Sequence, residues 1–131
     1  MRRAHLIFGI LVFVIFLLTG QYMDKYYNHL AGFPDGVRML YRTRHIFILL
    51  AGLLNLGLGA YFTPRLRLGP RILQLLGSAL IFTATILFIV AFFYEPGLTG
   101  LYTPLSHWGT YTILAGTILH LLSSAESKDE G

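Results

Sequence analysis

The sequence predicts an all-α integral membrane protein: four helices in an up-down bundle, with both termini in the cytoplasm. Three observations carry that prediction. Hydrophobic residues make up 55% of the 131-residue chain and charged residues 12%, about half the charged share of a soluble domain. The apolar residues fall into four blocks, each close to the ~20 residues needed to cross ~30 Å of hydrocarbon. Lys and Arg flank those blocks, and no Asp, Glu, Lys or Arg falls mid-block, as membrane topology requires. Residues 1–123 are expected to form one four-span domain and 124–131 a polar cytoplasmic tail.

The first block, 6–23, follows "MRRAH". Leu18, Thr19 and Gly20 precede Gln21, so there is no small-x-small cleavage site and the block reads as a retained helix. The second block, 45–62, follows a turn at Phe33-Pro34-Asp35-Gly36, where Asp35 is placed to cap a helix. That helix then extends from about residue 36 and reaches about 40 Å, longer than the hydrocarbon is thick. The third block, 72–94, is closed by Glu95-Pro96-Gly97. The fourth, 105–122, is entered through Thr103-Pro104.

Orientation follows from the cations. Arg2, Arg3, Arg65, Arg67, Arg71 and Lys128 fall on one side, and Lys25, Arg38, Arg42 and Arg44 on the other. The excess assigns the first side to the cytoplasm, with a bacterial inner membrane as the expected cell membrane. Tyr22, Tyr26, Tyr27, Tyr41, Tyr94, Tyr102, Trp108 and Tyr111 gather on the outer side, which suggests a built outer surface. The net charge of +4 sits beside apolar runs, so the expected partners are the bilayer and anionic lipid headgroups, with no nucleic acid. The absence of cysteine excludes disulfides, thiolate metal sites and cysteine nucleophiles.

Two sets of residues stand out. The first is the cationic mouth of the second helix. On the extended helix Arg38, Arg42 and His45 share one face by their i, i+4, i+7 spacing, and Arg44 adjoins them. These residues suit snorkelling to lipid phosphates, or recognition of an anion by the planar guanidinium. His107, at the outer end of the fourth helix, is expected at the depth of His45. Two facing histidines can ligate haem b, with Arg38 and Arg42 near its propionates. A mixed N/O metal site from His29, His45, Glu95 and His107, with Asp24, is the related option.

The second set concerns packing. Gly52, Asn55 and Gly59 share a face of the second helix, where small residues allow close approach and an asparagine must find a partner. Gln74 and Ser78 mark a matching face on the third helix, and Gly116 with His120 one on the fourth. His5 and Gly9 lie on the corresponding face of the first. With no ionisable Asp, Glu, Lys or Arg mid-span, an ion pathway gains no support. The "AGLLNLGLGA" glycines lie inside a span with no preceding strand, so nucleotide binding fails on context.

These features lead to three expectations. The first is a non-enzymatic subunit, scaffold or assembly factor acting through helix–helix contacts, with another membrane protein or with itself. The second is an outer-interface haem or metal protein using His45 and His107. The third is a small-molecule transporter, which requires a hydrated cavity reaching Asn55 and Gln74.

Overall fold

The computed structural model describes residues 1–98 and 102–125. Four long helices account for most of them: α1 (Arg2–Tyr27), α2 (Asp35–Tyr61), α3 (Leu68–Tyr94) and α4 (Pro104–Ala125). Among the described residues there is no strand. Three of the helices, α1, α2 and α3, are long and apolar enough to cross a membrane. The fourth block was expected to match them, but α4 does not reach that hydropathy. Its 22 residues carry seven hydroxyl side chains, including Ser106, Thr110, Tyr111 and Thr117, and two histidines, which dilute its apolar content.

Every helix starts before its apolar block. α1 begins at Arg2, because charged residues tolerate a helix once they clear the hydrocarbon. α2 begins at Asp35, as its early-start reading expects, but Asp35 is not the cap. Pro34 occupies that position without a side-chain bond, and Asp35 pairs with Arg38 one turn on. Its charge in the first turn still suits the helix dipole. α3 starts at Leu68 with Pro70 in its first turn, where the missing N–H costs nothing. α4 runs to Ala125, so residues 124 and 125 are helical. Residues 126–131, including Lys128, and residues 99–101 of the last loop lie outside the described residues.

The helices associate chiefly as α1 with α2 and α3 with α4. Glycines set both approaches. A Cβ added at Gly59 would lie 2.6 Å from the Leu6 backbone, and one at Gly9 would lie 2.8 Å from the Leu56 nitrogen. Gly77 and Gly116 face each other, each 2.8 Å from the other's carbonyl oxygen by the same measure. Contacts Leu6–Gly59, Val12–Gly52 and Thr19–His45 ascend α1 while descending α2, so these two helices run antiparallel. Ser78–His120 and Glu95–Ser106 show the same for α3 and α4. Val12, Ile48, Ala51, Phe88 and Phe92 form the apolar centre. Part of the outer tyrosine group belongs to this core: Tyr41 is 8% exposed, its ring 5.4 Å from both Tyr27 and Phe92.

Candidate functional site

Two buried polar clusters join the helix pairs, one near each end. The first centres on His5, which is fully buried with its ring stacked on Phe82 at 4.4 Å. Asn55 fixes the proton positions. Its Nδ2 donates to the Ala51 carbonyl at 2.8 Å and to Thr85 Oγ1 at 3.1 Å. A carbonyl only accepts, so the orientation of the amide is settled and Oδ1 must be the acceptor from His5 Nδ1 at 2.8 Å. In neutral His5, Nε2 then accepts from the Ser78 hydroxyl at 2.9 Å. Ser78 Oγ in turn accepts from His120 Nε2 at 3.2 Å. Thr85 passes its own proton to the Ile81 carbonyl at 2.7 Å. One chain of hydrogen bonds therefore links all four helices. An unpaired polar group inside a membrane protein costs several kcal/mol, which is why these side chains find one another.

The second cluster centres on Glu95, just past the end of α3 and fully buried. Its Oε2 accepts from Arg44 Nε at 2.7 Å and from Ser106 Oγ at 2.5 Å, and its Oε1 accepts from the Ser106 backbone N–H at 2.8 Å. The carboxylate thus neutralises Arg44 of α2 and satisfies a first-turn N–H of α4, where helices have donors without intrahelical partners. An open groove of about 330 Å³ lies beside it, lined by Arg44, Phe47, Thr103, Ser106, His107, Thr110 and Tyr111. Arg44 Nη1 and Nη2 have no hydrogen-bond partner among the described residues, although the residue is only 5% exposed.

The cationic mouth does not act as one stripe. Arg38 turns to Asp35. Arg42 is exposed and lines a separate small groove with Asp24 and His29. His45 meets Thr19 Oγ1 at 3.0 Å and stacks on Phe16 at 4.1 Å, so it packs against α1. His107 is exposed and bonds the Thr103 carbonyl at 3.2 Å. Of the group, Arg44 and His107 share a groove, and His45 is not in it. A pair of rings facing one haem iron is therefore not what this arrangement offers. The five-residue metal set is also divided. His29 pairs with Asp24 at 2.8 Å, Glu95 is taken by Arg44 and Ser106, and among the described residues no three His, Asp or Glu converge.

The packing residues are all inside. Gly52 lies against Val12, Gly59 against Leu6, and Gly116 against Gly77 and Ile81. Asn55 and Ser78 belong to the His5 cluster. Gln74 serves a loop: its Oε1 accepts from the Arg65 N–H at 3.0 Å and its Nε2 donates to the Thr63 carbonyl at 2.9 Å. Asn55 is fully buried, with its amide bonded to His5, Ala51 and Thr85, whereas Gln74 lines an open groove of about 420 Å³ with Arg65 and Arg71.

The Glu95–Ser106 contact was not visible as a motif. For the Arg44–Glu95 pair the signal was depth: Glu95 follows the C-terminal end of α3, Arg44 lies in the N-terminal half of α2, and two opposite charges near one end of a bundle are candidates for pairing. Compared with known protein families, curated proteins and solved structures, the chain matches none.

Proposed function

We propose that the chain crosses the bacterial inner membrane four times as an up-down bundle, with both termini cytoplasmic. There it acts as a non-enzymatic subunit or assembly factor that associates with other membrane helices. The observation supporting this is how the polar and apolar groups are divided. The buried side chains of His5, Asn55 and Ser78, and of Arg44, Glu95 and Ser106, bond to one another, while Leu17, Leu50, Leu76, Val90, Leu114 and Ile118 are exposed on the outside of the helices. Such a surface suits lipid and neighbouring helices, where close packing drives association. Because the glycine seams are spent within the chain, a partner would meet this outer apolar surface instead. Native electrophoresis from mild detergent, paired with crosslinking in intact membranes, tests the role. An assembly larger than one 14.7 kDa chain is expected. A lone protomer by both methods contradicts it.

A second reading is favoured by Arg44. A guanidinium held on one edge by Glu95, with no partner for its other nitrogens among the described residues and with His107 lining the same groove, is suited to the phosphate of an anionic lipid headgroup. Native mass spectrometry with added phosphatidylglycerol is expected to show adducts that weaken in His107→Ala. Adducts equal to those with phosphatidylcholine contradict it.

A further inference from the structure

We infer that His120, Ser78 and His5 form a proton relay, carrying a proton from the membrane boundary to a buried site on His5. This goes beyond the proposed association role and does not depend on it.

The relay rests on the directions of its hydrogen bonds. His5 Nδ1 is committed as a donor to Asn55 Oδ1, so Nε2 is the only ring position that can gain a proton. That atom faces the Ser78 hydroxyl, and the same hydroxyl faces His120 Nε2. Ser78 is fully buried, whereas His120 is half-buried at the far end of the chain. His120 Nδ1 has no partner among the described residues, and it is not among the polar atoms sealed from the surface. It is therefore the port.

The step balances. A proton from boundary water binds His120 Nδ1. The Nε2 proton of His120 moves to Ser78 Oγ, and the former Ser78 hydroxyl proton moves to His5 Nε2. His120 ends neutral, protonated on Nδ1, with Nε2 now accepting from Ser78. His5 ends as imidazolium, still donating to Asn55, with the Phe82 face 4.4 Å away to favour the cation. The rings of His5 and His120 are 6.1 Å apart, so two imidazoliums would repel and the pair holds one proton at a time.

Two features serve this geometry. Gly77 lets α4 close in, since a Cβ there would lie 2.8 Å from His120 Cδ2. Among the described residues the charged groups at this end are also all cationic. α1 contributes the amino terminus, Arg2 and Arg3, the 62–67 loop contributes Arg65 and Arg67, and α3 contributes Arg71. From α2 the facing group is the uncharged Asn55, and from α4 it is His120 alone. The acids among the described residues, Asp24, Asp35 and Glu95, lie at the other end. Among the described residues a proton on His5 has no counter-ion at this end.

The test is histidine ¹⁵N NMR of the full chain in nanodiscs. The expected result is a neutral His5 protonated on Nδ1, and a shared midpoint for His5 and His120 on acidification. Ser78→Ala is expected to abolish the His5 response while His120 still titrates. His120→Gln is expected to abolish it as well, and Ser78→Thr to keep it. A His5 that never responds in the wild type overturns the relay. So does a His5 that still titrates in both Ser78→Ala and His120→Gln. If Ser78→Ala fails to fold, His120→Gln decides alone.

Discussion

Arg44 Nε donates to Glu95 Oε2 at 2.7 Å, with the two side chains 6% and 0% exposed. The pair joins the N-terminal half of α2 to the turn after α3, and Ser106 ties the same carboxylate to α4. Losing one partner leaves a buried charge, which typically costs about 3–5 kcal/mol. Glu95→Ala is therefore expected to destabilise the protein by about that much in detergent unfolding. The double change Arg44→Met with Glu95→Leu should recover most of the loss, because no charge is then stranded. Equal losses in the single and double variants would contradict the pairing.

Gly59 and Gly57 make a matched test of packing. A Cβ at Gly59 strikes the Leu6 backbone, whereas one at Gly57 meets nothing within 4 Å. Gly59→Ala should cost about 1–3 kcal/mol through overpacking. Gly57→Ala should be neutral or stabilise by about 0.5–1 kcal/mol, since alanine is the better helix former. Titration with SDS in mixed micelles measures both.

Asn55→Leu removes the acceptor of His5 and the donor to Thr85 at one stroke. It leaves the His5 Nδ1–H buried without a partner, a loss of about 1–3 kcal/mol. Asn55→Asp should be less costly, because Oδ1 can still accept from His5. The same SDS titration ranks the two.

Gln74 holds the 62–67 loop at Thr63 and Arg65. Gln74→Ala should release that loop and speed trypsin cleavage after Arg65 and Arg67, with cleavage elsewhere unchanged. An unaltered digestion pattern would show that the loop does not depend on this side chain.

The helices and their packing faces were legible because hydropathy and the 3.6-residue period depend on local sequence. The early start of α2 was legible from Phe33-Pro34-Asp35-Gly36. Partners were much less so. His5 could be put on the Gly9 face of α1, but nothing local says that Asn55 and Ser78, 50 and 73 residues on, close around its ring. The i, i+4, i+7 spacing put Arg38, Arg42 and His45 on one face but could not say what each meets. Asp35, solvent and Phe16 draw them apart. Glu95 was read as part of a helix stop and as a candidate metal ligand, and neither reading pairs it with Arg44, 51 residues away.

The most direct test of the membrane architecture concerns α4, the one of the four described helices that does not reach the hydropathy of a membrane span. Paired alkaline phosphatase and fluorescent-protein fusions after Leu98 and after Ala125 report the side on which each point lies. Four crossings predict phosphatase activity only for the Leu98 fusion and fluorescence only for the Ala125 fusion. The same reporter active at both points would show that α4 does not cross, and would contradict the four-span bundle.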